Sequence, residues 1–208
     1  MLFKGEWFMT LKEYNEIKNL TYIKYCDYLQ NKYGVPKGPF FNSSWNKNLK
    51  ITRTNEGLIT HHKFEDHACK LSTREFAMNS PYDWQLPKAL VYCDYLEHLL
   101  LHVMICKQAL KNGLASDSIG IGGIVAYLVP ELNDFYSGWV TKQPWRAICL
   151  NKVAKDKDAY LTILKRFKTN CRDYPGYTDD CLLSCYNEQY GLWSSSKNKK
   201  IYKEISEL

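Results

Sequence analysis

The stretch ALVYCDYLEHLLLHVMI, residues 89–105, joins a short apolar run to a longer run in which two histidines stand four residues apart. Its first four residues predict a β-strand. Asp94 and Glu97 form a D-x-x-E pattern, which predicts that a helix begins near Asp94. Because residues four apart share one face of a helix, His98 and His102 could bind the same ion.

A second histidine pair, His61 and His62, ends the apolar run that begins at Gly57. This run predicts a strand from Leu58 to His62. Adjacent side chains of a strand point to opposite faces, so one histidine would face a metal ion and the other a substrate. Three imidazoles with open coordination positions suit zinc or another divalent ion. The alternative is a core in which the histidines hydrogen-bond to one another without a metal.

These histidine pairs resemble those of the HNH, or His-Me finger, nucleases, and most closely those of the colicin-type DNases. In that family a strand that ends in His-His is followed by a loop, a second strand and a helix with H-x-x-x-H. The resemblance covers roughly residues 50–110. It implies a ββα-metal module in which His61, His98 and His102 bind one divalent ion (Zn, Mg, Mn or Ni). It also implies that His62 is the general base.

One position departs from the family pattern. The family has an asparagine just before the second strand, which braces the loop that carries the catalytic histidine, whereas this chain has Ala89. Asn79 or Gln85 could brace the loop instead, or the fold could have lost activity. Glu97 would either orient His98 or face solvent.

The resemblance implies an endonuclease that hydrolyses phosphodiester bonds in nucleic acid, with DNA as the expected substrate. The Lys-, Asn- and Tyr-rich composition is typical of an AT-rich genome, which indicates a bacterial or phage setting of defence, restriction or mobile elements. Two other classes stay open: a nuclease-like scaffold that binds DNA or a protein partner without catalysis, and a zinc-stabilised interaction protein. The sequence also leaves open whether the protein forms a homo-oligomer.

The stretch from Tyr28 to Asn55 contains no acidic residue. Its cations alternate with aromatic residues, so it is a candidate for contact with nucleic-acid phosphates and bases. The alternative is a loop whose aromatic side chains cover the core. The predicted nucleic-acid contacts are Lys47, Lys50, Arg53 and Lys63, although Arg53 could equally be a surface cation.

The net charge of the whole chain is compatible with a nucleic-acid partner but does not by itself identify one. The 208 residues carry a formal net charge of +6, which has the right sign for phosphate. Charged residues interrupt the N-terminus, so neither a signal peptide nor a membrane span is predicted, and a cytoplasmic protein is expected. The eight cysteines lack a C-x-x-C pair. Cys171, Cys181 and Cys185 could hold a second zinc, but buried free thiols are the favoured interpretation.

The predicted fold class is α+β, mostly α, with a small ββα-metal module embedded in a helical chain. The predicted regions are 1–48 (helical and basic arm), 49–113 (nuclease-like module), 114–193 (helical region) and 194–208 (basic linker and terminal segment). The N-terminal helices are predicted at Thr10–Leu20 and Thr21–Tyr33.

Further elements follow from local patterns. A hairpin is predicted from Leu49–Thr54 and the strand Leu58–His62, and a long helix from Asp179 to Tyr190. The small residues of Gly120–Gly123 favour close helix packing, and Ser194–Lys200 predicts a mobile linker.

Overall fold

The structure is a computed structural model that describes residues 8–116 and 119–208. In these ranges it is mostly helical with one small sheet, which confirms the predicted class, α+β and mostly α. The helices are α1 (Leu11–Ile17), α2 (Tyr22–Tyr33), α3 (Leu49–Thr52), α4 (Arg74–Ala77), α5 (Tyr95–Lys111), α6 (Ile121–Gly123), α7 (Val129–Tyr136), α8 (Pro144–Lys152), α9 (Lys157–Asn170) and α10 (Lys199–Ser206). The strands are β1 (Ile59–His62) and β2 (Leu90–Cys93).

Helix α5 begins at the predicted residue. Asp94 Oδ1 accepts hydrogen bonds from the amides of Leu96 and Glu97, both at 2.8 Å. In return, Glu97 Oε2 accepts the Asp94 amide at 2.7 Å, which completes a capping box. The helix ends at Asn112, followed by Gly113 with φ of 68°. Because most of α5 is buried, its histidines are held by packing on several sides.

The two strands pair antiparallel, with Ile59 opposite Cys93 and His62 opposite Leu90. The second strand starts one residue later than predicted, because Ala89 closes a 3-10 turn that starts at Pro87. The pairing places the end of β1, with its two histidines, beside the start of β2. The order strand, strand, helix of the predicted module is therefore present.

The predicted hairpin between Leu49–Thr54 and β1 is wrong. Residues 49–52 form the short helix α3, which begins where the Asn48 side chain accepts the Lys50 amide at 3.2 Å. Only Arg53 forms a bridge to β1, opposite Ile59. Ile51 is buried in a small cluster with Phe40, Phe41 and Leu90, a contact that the helix allows.

Two predictions for the C-terminal region are also wrong. Residues 179–190 contain two short 3-10 turns instead of one helix, because side chains of α7 bind the backbone between them. Asn133 Nδ2 donates to the carbonyls of Leu182 at 2.9 Å and Ser184 at 3.0 Å. The carbonyls that accept these side-chain hydrogen bonds do not take part in the regular hydrogen-bond pattern of a helix.

The segment Ser194–Lys200 is packed and is not a linker. The side chain of Asn198 is fully buried and donates to Asp134 Oδ1 at 2.7 Å. Helix α10 follows directly and buries Ile201 and Ile205. Charge and serine content predicted mobility here, but one buried hydrogen bond and two isoleucines anchor the segment.

The buried residues form one large cluster that extends from Met9 in the N-terminal region to Ile205 in the last helix. A smaller cluster contains Phe40, Phe41 and Leu90. Within the described ranges, no helix combines the length and apolar character needed to cross a membrane.

Candidate metal centre

Four side chains from three elements meet at the end of the sheet. β1 supplies His61, and the 3-10 turn that follows it, Lys63–Asp66, supplies Glu65. Helix α5 supplies His98 and His102 from consecutive turns. One donor atom from each of the four lies within 4.8 Å of all the others. The three predicted metal ligands are therefore brought together, with Glu65 beside them.

Three of the six separations between donor atoms fit the tetrahedral coordination of one ion. The Nε2 atoms of His98 and His102 lie 3.2 Å apart. Glu65 Oε2 is 3.4 Å from His61 Nδ1 and 3.5 Å from His102 Nε2. With metal–ligand distances of about 2.0–2.1 Å, tetrahedral geometry separates neighbouring ligand atoms by roughly 3.3 Å. The side chains need little movement to hold one zinc-sized ion.

Tyr22, on α2, orients His61. The Tyr22 hydroxyl lies 2.9 Å from the Lys63 carbonyl, to which it donates, and 2.9 Å from His61 Nε2. Since its proton goes to the carbonyl, the hydroxyl oxygen accepts from His61 Nε2–H. This tautomer leaves the lone pair on Nδ1, the atom that faces Glu65.

The Gly120 carbonyl orients His102 in the same way. His102 Nδ1 lies 3.0 Å from that oxygen and must donate to it, so Nε2 presents its lone pair to the cluster. Gly123 packs against the other side of the ring, where a Cβ would lie 2.7 Å from both ring nitrogens. The close packing predicted for Gly120–Gly123 is confirmed: Gly123 packs against His102, and Gly120 packs against Ile105 and Cys106, all on α5.

The burial of the cluster keeps its imidazoles neutral. Burial lowers the pKa of His61 to about 3 and lowers the pKa values of His98 and His102 as well. Burial alone would raise the pKa of Glu65, but His61, with His62 and His102, outweighs it and lowers that pKa below its usual range. Three neutral imidazoles and one carboxylate are the protonation states that bind a divalent cation.

Hydrogen bonding within the core leaves one ring nitrogen of the cluster unpaired. His61 Nδ1, which faces Glu65, is buried and makes no hydrogen bond among the described residues. Buried polar atoms without partners are rare in native proteins and call for an explanation such as an ion. The geometry therefore favours the metal site over the metal-free core.

His62 lies beside the cluster and is fully buried. Its Nε2 is 3.1 Å from Gln85 Oε1, and Gln85 Nε2 donates to the Leu71 carbonyl at 3.4 Å. Because Gln85 presents its oxygen, His62 Nε2 carries the proton and Nδ1 holds the lone pair. That Nδ1 lies 3.7 Å from Glu65 Oε1. Phe40 packs edge-on against the ring, with 4.6 Å between centroids.

Gln85 contacts the segment that carries the adjacent histidines. It is fully buried and joins His62 to Leu71 in the loop between the strands. Asn79 instead donates locally to the Glu75 carbonyl at 3.0 Å. Of the two replacements considered for the bracing role, the structure places Gln85 in contact with His62.

Glu65 was missed as a candidate ligand by sequence reasoning. The pattern H-H-x-x-E, with Glu65 four residues after His61, is the only local indication. In an extended loop this spacing would separate the two side chains. The 3-10 turn at Lys63–Asp66 reverses the chain and brings the carboxylate back over both histidines.

The predicted nucleic-acid contacts have different surroundings. Lys47 and Lys50 are exposed. Lys63 pairs with Asp27 at 2.8 Å, and the Arg53 guanidinium lies 3.5 Å from the centroid of the Trp145 ring. Arg53 is exposed as well, and the Lys47 ammonium lies over the Phe40 ring, 4.9 Å from its centroid, so three of the four cations are open to a phosphate.

At two places the structure decides against one of the alternatives that the sequence left open. Phe40 and Phe41 are buried in the smaller cluster, so this part of the acid-free stretch covers the core and does not present these rings to bases. Glu97 does not face solvent: it is fully buried and pairs with Lys32 at 2.8 Å and the Tyr33 hydroxyl at 3.0 Å.

The cysteines are all free, and five of them are buried. Cys181 and Cys185 do not share a helix, because residues 179–190 are not helical. Among the residues that the structure describes, the His61 group is the one cluster arranged to hold a metal. The second zinc site is therefore absent from this part of the chain.

No protein-family model, curated protein or solved structure matches the chain.

Proposed function

We propose that the chain binds one divalent ion at His61, His98 and His102, with Glu65 beside the ion, and hydrolyses phosphodiester bonds of nucleic acid, with DNA as the expected substrate. The observation that carries this proposal is the convergence of four donor atoms, within 4.8 Å of one another, at the end of a strand–strand–helix unit. A divalent ion bound there would polarise a phosphate oxygen and stabilise the charge that develops on the leaving 3′ oxygen.

His62 is proposed as the general base. Its Nδ1 holds a lone pair because Gln85 engages Nε2, and burial keeps other partners away from it. Because the ring is buried, the proton of a water at the cluster would reach Nδ1 through Glu65. That carboxylate points Oε2 at the cluster and Oε1 at His62, 3.7 Å away. A pre-oriented base and relay fit the chemistry of water activation.

The positive partners for a nucleic-acid backbone are proposed to be Lys47 and Lys50, which are exposed close to the module in sequence. Phosphate contacts of this kind give affinity without sequence preference. The biological setting that we propose is bacterial or phage defence, restriction or mobile elements, where such nucleases act in the cytoplasm.

The test combines metal analysis with a plasmid-nicking assay in Mg²⁺, Mn²⁺, Ni²⁺ or Zn²⁺. Wild type should hold one ion per chain and cleave, and His98→Ala should lose both properties. His62→Ala should keep the ion and DNA binding and lose cleavage, whereas His61→Ala should lose metal and cleavage together. His67→Ala, at an exposed histidine outside the cluster, should behave as wild type.

Because His62 is buried, His62→Gln is needed beside His62→Ala, and thermal unfolding checks that each variant is folded. Normal cleavage by a folded His62 variant would remove His62 from the role of base. Equal metal content in wild type and His98→Ala would remove the metal site itself.

A second candidate function is a zinc-stabilised protein without catalysis. It is favoured by Glu65, which can complete a closed set of four protein ligands, the arrangement typical of structural zinc. Such a protein would lose thermal stability on chelation and would never cleave DNA or RNA with any of the four ions. Glu65→Gln should then lower zinc affinity strongly, whereas a catalytic site would retain the ion on three histidines and lose turnover.

A further inference from the structure

A separate cleft, with a volume of about 860 Å³, opens on the C-terminal half of the chain. One wall is the segment 138–143 with the first turn of α8, and the other is formed by residues 186–187, 190–193 and 197. The cleft shares no residue with the histidine cluster. It is therefore a second candidate site, independent of the metal centre.

The walls of the cleft expose apolar and aromatic surface. Val140, Tyr190 and Leu192 are 82%, 58% and 61% exposed, respectively. The rings of Tyr186 and Tyr190 lie beside each other with 5.7 Å between centroids. Large apolar side chains that are exposed together in a concavity are typical of a binding surface.

The charge of the cleft is positive. Lys142, Arg146 and Lys197 line it, and within the described ranges no aspartate or glutamate does. Arg146 has a counter-charge behind the wall, since its Nε is 2.9 Å from Glu131 Oε1. Lys142 and Lys197 are exposed, and the ammonium of Lys197 lies 4.3 Å from the centroid of the Trp193 ring. An anionic ligand in the cleft would therefore contact cationic side chains that lie beside aromatic rings.

Buried hydrogen bonds fix the shape of the cleft. Asp134 Oδ2 accepts from both the amide and the side chain of Asn187, each at 2.8 Å. Asp134 Oδ1 accepts from Asn198 at 2.7 Å. The two ends of the segment that carries Tyr190 and Trp193 are thus tied to α7. A pre-formed wall loses little conformational entropy when a ligand binds.

We propose that this cleft binds a nucleotide unit, with its base against Tyr190 or its neighbouring rings and its phosphate near Lys142. Exposed rings suit a planar base, and cations at the rim suit a phosphate. The same chemistry is present in a free nucleotide and in a single strand of nucleic acid. Duplex DNA fits less well, because its bases are stacked on one another.

The cleft is linked to the nuclease-like module through one ring. Trp145, in the first turn of α8, lies between Arg146, 5.2 Å from its centroid, and Arg53, 3.5 Å away. Arg53 in turn forms a β-bridge with Ile59, the first residue of β1. A strand held in the cleft would therefore continue along a surface that bears arginine.

The experiment measures binding of AMP and of a fluorescently labelled single-stranded oligonucleotide to the full chain, by calorimetry and anisotropy in low salt. Tyr190→Ala should weaken binding roughly tenfold through loss of stacking, and Lys142→Glu should weaken it by a similar factor. The matched controls are Tyr127→Ala, at a tyrosine that is 55% exposed outside the cleft, and Lys155→Glu, at another exposed lysine. Neither control should change the affinity.

Binding of either probe that Tyr190→Ala and Lys142→Glu weaken supports the cleft, and comparison of the two probes distinguishes a free nucleotide from a single strand. Unchanged affinity in both cleft variants, or absence of binding to either probe, would overturn it. Self-association of the wild type that Tyr190→Ala abolishes, without nucleotide binding, would assign the cleft to a second copy. His98→Ala should bind the probes as wild type does, so failure of the metal proposal and failure of this one are distinguishable.

Discussion

Gly123 lies directly against the imidazole of His102, so close that a Cβ on Gly123 would come within 2.7 Å of both ring nitrogens. Its backbone is ordinary right-handed helix, with φ of −62° and ψ of −36°, so conformational freedom does not explain the glycine. The residue is small because His102 needs the space. A residue outside the histidine motif thus controls the position of a proposed ligand.

The first prediction uses this contact. Gly123→Ala should push His102 away from the cluster and lower the affinity for Zn²⁺ or Co²⁺ at least tenfold, since ligand positions tolerate little displacement. Gly122→Ala is the matched control, because a Cβ there meets nothing within 4 Å. Titration with Co²⁺, followed by visible absorption, measures the difference. Equal affinities in the two variants would contradict the proposed role of His102.

The second prediction concerns Tyr22. Tyr22→Phe removes the hydroxyl that engages His61 Nε2 and the Lys63 carbonyl, so metal affinity should fall about 10–100-fold. Tyr25→Phe, on the same helix, is the control, because the buried Tyr25 hydroxyl makes no hydrogen bond among the described residues. Tyr25→Phe should leave metal affinity unchanged. Competition with a chelating dye measures both, and a similar loss in the two variants would point to a general effect of repacking α2.

The third prediction concerns the exposed cations. Reversing the charge of Lys47 and Lys50 should weaken DNA binding regardless of sequence and lower the slope of log affinity against log salt by about one for each lost phosphate contact. Lys12→Glu with Lys18→Glu, on α1, is a control with the same change in net charge. Anisotropy at several salt concentrations gives the slopes. If the slope were identical to that of wild type, residues 28–55 would pack against the core and would not contact phosphate.

The fourth prediction is a pH dependence of stability that originates at Glu131. Burial raises the pKa of Glu131 from 4.5 to about 7, and Arg146 opposes this only in part. Although Arg146 Nε is 2.9 Å from Glu131 Oε1, neither atom makes a hydrogen bond, so the pair is poorly aligned.

Between these two pKa values the folded chain retains a proton that the unfolded chain has lost. The free energy of unfolding should therefore fall as pH rises from 4.5 to 7, by up to about 3 kcal/mol from this group. Urea unfolding of wild type and Glu131→Gln across this range tests it. The difference between the two proteins should change with pH, and a constant difference would contradict the prediction.

The local sequence determined the elements that carry the site. The D-x-x-E pattern set the start of α5, and the spacing of four set His98 and His102 on one face, because capping and helical periodicity depend only on neighbouring residues. Strand alternation likewise predicted that His61 and His62 have different neighbours, as they do. These features could be predicted without knowledge of the rest of the chain.

Tertiary structure alone decided what completes and orients the cluster. Tyr22 lies 39 residues before His61, and Gly123 lies 21 after His102, so neither contact has a local pattern. Distant side chains also overrode local preference: Asn133 and Asp134 on α7 bind the backbone of residues 182–187 and leave no long helix there. A buried donor or acceptor must find a partner wherever the fold places one, and that requirement is set by packing in three dimensions.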